Sequence, residues 1–338
     1  MGSNDNIIDI KDYINRSYGL AVDKVEKVKN SYKILVGESG YCLKVIKYDF
    51  GHFKFILEAI KHLQKNNFEY IPKIIKTKDN KEYVMINGKY CYLTKWIPSR
   101  VSNYDNPVEL ALVSQKLFQL HECSKGFNIE KDMNPRIGWF SWIKVFKTRR
   151  DEILDFKNRI SQKAYKSEFD LLYLNNIEKE ILRAEKSISG LEKNNYMKVM
   201  ENQVFDRGFC HHDYAHHNIL ISDDNQFNVI DFDYCILDSY LHDICSLLIR
   251  CMKEGHWEKK KADLVLNSYS KTKEILKSEI PIMREFIRYP QIFWQIGIQA
   301  YWEQQPWSEE VFIGKLRRYL DDCKEREAFI DDYFKGGD

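Results

Sequence analysis

The stretch FCHHDYAHHNILISDDNQFNVIDFDYC, residues 209–235, decides the fold. It sets four of the chain's nine histidines around Asp213, then continues through an apolar run, the polar turn SDDNQ and a second apolar run. That pattern predicts short strands at 218–222 and 227–231 joined as a hairpin. The hairpin folds Asn218 and Asp231 toward each other, with Asp213 five residues before Asn218 on the preceding loop. Phosphoryl transfer needs this set: one carboxylate to accept or orient a hydroxyl proton, and an amide oxygen and a second carboxylate to hold Mg²⁺ against nucleotide phosphates. The histidines do not suit a zinc site, because interleaving with Asp213 and Asn218 leaves them no regular face. A hydrogen-bonding or substrate-facing role is expected for His212, His216 and His217.

Working outward, the N-terminal part supplies the matching half. Residues 24–47 alternate apolar and polar around a turn at Glu38-Ser39-Gly40 and read as strands, and 52–66 carries apolar residues at helical spacing. EYVMI and KYCYLTKWI follow, joined by Asn87-Gly88, a strong two-residue hairpin signal. Lys44 falls within a strand, as a lysine gripping nucleotide phosphates should, and Glu58 on the next helix is placed to pair with it. Pro98 and the polar SRVSNYDNP mark a boundary. The expected division is a β-rich nucleotide-binding lobe at 1–97, a hinge or linker at 98–106, and a helical lobe at 107–338. The last carries the catalytic loop (211–218) and metal-binding hairpin (218–231), with helices expected at 107–124, 141–161 and 168–190.

Bulk properties exclude several alternatives. Lys and Arg total 52 against 50 Asp and Glu, a formal charge of +2 that gives no support for a nucleic-acid surface. No apolar run is long enough to span a membrane, and MGSNDNIIDI lacks the basic-then-apolar pattern of a secretory signal. The eight cysteines contain no Cys-x-x-Cys pair and read as reduced thiols of a cytosolic product.

His211, Asp213, Asn218 and Asp231 resemble the catalytic and metal motifs of aminoglycoside phosphotransferases, choline kinases and their protein-kinase-like relatives. CHHDYAHHNILI, IDFDYCILDSYLHDICSLLIR, YCYLTKWI and PQIFWQIGIQAYWE resemble, over roughly residues 17–335, the CotS family of spore coat proteins. The resemblance implies an α+β, bilobal protein-kinase-like fold with a small antiparallel-sheet N-lobe, and association with the spore coat and sporulation. It implies ATP and Mg²⁺ as cofactors, Asp213 as base, Asn218 and Asp231 as metal ligands, and Lys44 on the α- and β-phosphates, held by Glu58. His211 would brace the loop, Thr94–Ile97, including Trp96, would offer backbone groups to adenine, and Asp243 would tie the loop to the following helix. Two positions depart from the relatives. The turn VKNSYKI has no glycine, leaving Ser31 as the nearest phosphate contact, and Ala215 replaces the lysine of protein kinases, which argues for a small-molecule acceptor.

Three functions compete: a Mg-ATP-dependent small-molecule phosphotransferase, a catalytically silent coat component, and a metal phosphohydrolase built on His212-Asp213 and His242-Asp243. The first is favoured, since a scaffold has no need of two metal-binding groups. Partners expected are ATP, a small-molecule acceptor and other coat proteins. The acceptor wall is sought in RIGWFSWIKVFKTRRDEI and around Trp294, Trp302 and Trp307; Trp139, Trp142, Trp302 and Glu303 would suit a cationic acceptor.

Overall fold

The structure is a computed structural model that describes residues 2–271 and 274–335. Readings that fall on Met1, on 272–273 or on the last three residues of the expected helical lobe lie outside the described residues. The chain runs α1 (Gly2–Tyr18), β1 (Lys24–Val28), β2 (Ser31–Val36), β3 (Ser39–Ile46), α2 (Phe50–Lys65), β4 (Ile74–Ile75), β5 (Val84–Ile86), β6 (Lys89–Lys95) and β7 (Ser99–Val101). It continues with α3 (Pro107–Ser124), α4 (Trp142–Ser161), α5 (Glu168–Lys193), α6 (Tyr196–Val204), β8 (Ile219–Ser222) and β9 (Phe227–Val229). Helices α7 (Leu241–Met252), α8 (Lys259–Tyr269), α9 (Ile280–Arg288), α10 (Gln291–Gly297) and α11 (Glu309–Tyr333) complete it. These segregate into two compact units. One holds the chain up to Asn103, Gln119–Arg136 and Asp213–Ile236; the other holds Tyr104–Phe118, Ile137–His212 and the chain from Leu237 onward.

The first unit is built on an antiparallel sheet in the order β1-β2-β3-β6-β4, with β5 also paired to β6. Alternation along the strands turns Ile34, Leu43 and Leu93 inward, where all three are fully buried. Each such side chain contributes about 1.5–3 kcal/mol on leaving water. Helix α1, which the sequence pattern did not reveal, closes this face with Ile10, Ile14 and Tyr18. Helix α2 starts on Asp49, whose side chain accepts the His52 N–H, and buries Phe53, Ile56, Ile60 and Leu63 as its spacing predicts. A second sheet, β7-β8-β9, contains the predicted hairpin. Its edge strand β7 comes from the stretch read as linker: Arg100 stands opposite Ile221.

The second unit is helical. Its core gathers Ile153 and Phe156 of α4, Tyr173 and Ile177 of α5, Phe293 of α10 and Leu316 of α11. A reciprocal cap between Ser167 and Asp170 starts α5. The aromatic segment read in the sequence forms α10 and then a wide turn in which the Glu303 N–H reaches the Ile298 carbonyl at 2.9 Å. The helices expected at 107–124, 141–161 and 168–190 are α3, α4 and α5.

Asn87 (φ 47°) and Gly88 (φ 72°) both occupy the left-handed region between β5 and β6, as a two-residue hairpin turn of the favoured hand requires. Gly88→Ala should therefore lose about 1–2 kcal/mol, read as a lower urea midpoint at unchanged slope.

Candidate active site

Within the first unit, Lys44 lies on β3, 7 % exposed, directly opposite Tyr92 of β6. Its Nζ is 2.8 Å from Asp231 Oδ1 and 3.2 Å from Asp233 Oδ2. Asp231 follows β9 in the left-handed region (φ 67°) and opens a short 3₁₀ turn over Phe232–Tyr234. That turn sinks Phe232 into the core and presents the carboxylates on either side of it to one ammonium. Burial works against the Lys44 charge, but Asp233 and Asp231 more than offset it and hold the lysine above its ordinary value. Burial and then the Asp231 charge push the Asp233 carboxyl up to about 7, Lys44 opposing. Asp233 Oδ1 is buried and has no hydrogen-bond partner.

Asn218 closes the loop that begins at Asp213. Its Nδ2 donates to the Asp213 carbonyl and to Asp213 Oδ2, each at 2.9 Å, so its Oδ1 is the atom left for a cation. The Ile230 N–H donates to the Asn218 carbonyl at 2.9 Å, which sets Asn218 beside the residue preceding Asp231. The hairpin that the sequence pattern predicts is formed by β8 and β9.

In the second unit, the residues just before Asp213 are held by Asp243. Its Oδ2 accepts the His211 N–H at 2.7 Å and its Oδ1 the His212 N–H at 2.8 Å, and both His211 and Asp243 are fully buried. Asp243 is thereby occupied by backbone donors, and the tying role expected of it is the one it plays. His212 is left-handed (φ 67°), its ring stacked on His242 at 4.2 Å. Nearby, the Trp142 Nε1 donates to the buried Asp238 at 2.9 Å, and a Cβ on Gly138 would collide with that carboxylate, so only glycine fits there.

Several expected contacts take another form. Glu58 does not pair with Lys44: its carboxylate binds Lys61 one turn on at 2.8 Å, Glu82 shares that lysine, and the Lys44 charge is already met by two aspartates. Ser31 stands opposite Lys44 across β2 and β3, after a turn of only Lys29 and Asn30. Thr94 is buried opposite Cys42, and the Trp96 N–H is spent on the Gly40 carbonyl at 3.0 Å. Trp142 and Trp302 are committed to Asp238 and Asp155, the latter at 2.9 Å. Asp233 and His52, whose Nε2 lies 3.3 Å from the Asp233 carbonyl, escaped sequence reasoning. The signal for Asp233 was present as the second acid of VIDFD.

Sheet, loop and helices together define the class: a protein-kinase-like fold of the kind found in small-molecule phosphotransferases. Among solved structures, the aminoglycoside phosphotransferase of Alicyclobacillus acidocaldarius superposes with a TM-score of 0.81 at 21 % identity, covering 95 % of this chain and 93 % of that one. Spectinomycin phosphotransferase APH(9)-Ia, solved with ADP and spectinomycin, gives 0.69 at 14 % identity over 96 % and 98 %. Choline kinase LicA from Streptococcus pneumoniae gives 0.53 at 15 % over 94 % and 98 %. The sequence profile of the family described as "Spore coat putative kinase YutH" matches residues 11–333, and the chain belongs to that family. The spore-coat, kinase-like resemblance read from the sequence is thus borne out.

Asp238 gives a test of the loop's support. Burial pushes its carboxyl up to about 6, against the donors from Trp142 and Ser239 and the nearby His242. Between about pH 4, where the unfolded carboxyl titrates, and pH 6, the folded chain keeps a proton that the unfolded chain has released. Stability from this group therefore falls as pH rises through that window, by roughly 3 kcal/mol in full. Asp238→Asn should gain on wild type by about 2 kcal/mol between pH 4.5 and 7.5 in urea unfolding.

Proposed function

We propose that this chain is a spore-coat-associated phosphotransferase that moves the γ-phosphoryl group of Mg-ATP to the hydroxyl of a small molecule, with Asp213 as base. The observation that carries this reading is the cluster of Lys44, Asp231 and Asp233 beside the Asn218 amide. A buried carboxylate oxygen without a partner, on an acid raised toward neutrality, fits a divalent cation that the fold does not itself supply. Asp231, the Asn218 Oδ1 and Asp233 would hold Mg²⁺, which when bound neutralises charge on the nucleotide's phosphates.

Asp213 accepts the proton of the acceptor hydroxyl as that oxygen bonds to the γ-phosphorus. The bond to the bridging oxygen breaks, ADP leaves with the electron pair, and the proton departs later from Asp213. Asn218 fixes the plane of the Asp213 carboxylate through its hydrogen bond to Oδ2. Lys44, released from the aspartates, contacts the α- and β-phosphates, Ser31 lies across the strand pair from it, and Thr94–Ile97 with Trp96 flank the base. His211 braces the loop from the buried side. In this reading 1–97 is the nucleotide lobe, 98–106 the hinge and 107–338 the acceptor lobe. Among the described residues no helix is long and apolar enough to cross a membrane, and the spore coat is the proposed location.

A second reading, a silent coat component, draws on one observation: the β1–β2 turn is two residues long and has no glycine, so few backbone amides can approach a phosphate. Thermal unfolding with ATP, with and without Mg²⁺, separates the two. At a hundredfold excess over Kd, Mg-ATP should stabilise the wild type by about 2.7 kcal/mol, and Asp231→Ala should abolish the shift. No shift at millimolar Mg-ATP would establish the silent reading.

A further inference from the structure

Near the candidate site, and within the same unit, one cation has no acid. The Arg136 guanidinium lies over the ring of Tyr48 at 4.8 Å and near that of Tyr234 at 5.5 Å. Among the described residues no carboxylate pairs with it, and its five N–H donors are the planar fork that matches a carboxylate or phosphate. The acids around it are committed. Glu130 and Asp132, on the same loop, both bind Lys54; Asp49 caps α2; Asp231 and Asp233 hold Lys44.

The loop bearing Arg136 is also fixed. The Asn134 N–H donates to the Gly51 carbonyl at 3.0 Å, and a Cβ on Gly51 would come within 2.8 Å of the Asn134 Cβ, so the approach requires glycine. Tyr48 packs edge-on against His52 at 4.7 Å, and His52 touches the Asp233 carbonyl. Tyr234 directly follows Asp233 and is 45 % exposed.

We propose that Arg136, clamped between Tyr48 and Tyr234, recognises an anionic group on the acceptor, so that the hydroxyl compound phosphorylated here carries a carboxylate or a phosphate. The inference rests on the phosphotransferase reading and narrows its substrate class. Asp213, Asp231 and Asp233 would repel such an acceptor, and a preorganised guanidinium supplies the compensating charge. A cationic acceptor would meet repulsion at the same place.

The test uses four small hydroxyl compounds on the full chain by calorimetry without nucleotide: glycerol, 3-amino-1,2-propanediol, D-glycerate and glycerol 3-phosphate. The two anions should bind and the other two should not, with glycerate and glycerol 3-phosphate distinguishing carboxylate from phosphate. Arg136→Met should weaken anion binding at least tenfold, and Arg136→Lys should restore part of it, while the Mg-ATP shift stays at the wild-type value in both. Equal binding of all four compounds, no binding of either anion, or anion binding unchanged in Arg136→Met would overturn the proposal. Loss of the Mg-ATP shift in Arg136→Met with anion binding retained would assign the arginine to the nucleotide instead. Arg136-dependent anion binding in a wild type that shows no Mg-ATP shift would end the kinase reading and leave the anion site standing.

Discussion

One ammonium shared by two carboxylates organises the first unit. Lys44 comes from the middle of a sheet, and its partners come from a turn 187 residues later in the chain. Putting them together requires the β3 register, the β8–β9 pairing and the left-handed backbone at Asp231. Each ion brought out of water costs several kcal/mol, and attraction within the cluster offsets that only where geometry is good. Two acids against one lysine leave a surplus of negative charge, and it is the more buried acid, Asp233, that rises toward neutrality. Sheet and hairpin thus hold a small cluster whose surplus of negative charge falls on one buried acid.

The supports around this device are backbone contacts rather than side-chain packing. Asp243 spends both oxygens on the N–H groups of His211 and His212, and the second of these residues sits in a conformation that glycine adopts more cheaply. Asp231 carries the same strain. A strained residue persists where its surroundings over-determine it, and here the surroundings are a buried carboxylate on one side of Asp213 and a paired hairpin on the other. The loop is therefore held on both sides along the chain, by Asp243 before Asp213 and by the β8–β9 pairing after it.

Much of this was legible in the sequence, and what was legible was local. Asn87-Gly88 announced its hairpin because type I′ geometry selects those residues. Helix α2 announced itself through the spacing of Phe53, Ile56, Ile60 and Leu63. The order Asp213, Asn218, strand, turn, Asp231 located the acids because a hairpin has only one way to close. The failures were competitions between distant groups. Glu58 was placed for Lys44, but its partner was decided by Lys61 one turn away and by two aspartates from another part of the chain. Strand β7 looked like a linker because SRV gains strand character only by pairing with β8. Arg136 heads the stretch in which the acceptor wall was sought, but nothing in the sequence singled it out from its neighbours, since its meaning lies in which nearby acids are already engaged.

The cost of the cluster argues for a ligand. Asparagine at 233 would fill the same space, accept from Lys44 and carry no surplus charge, so a protein selected only to pack would gain by it. The chain instead keeps an acid whose buried oxygen has no partner. Arg136, half-buried, lies instead against two tyrosine rings with its guanidinium turned to no carboxylate among the described residues. Of these two groups of opposite sign, the buried acid is the costly one as architecture. In a site of the kind proposed, the acid would meet a cation and the guanidinium an anion, each already held in place before its ligand arrives.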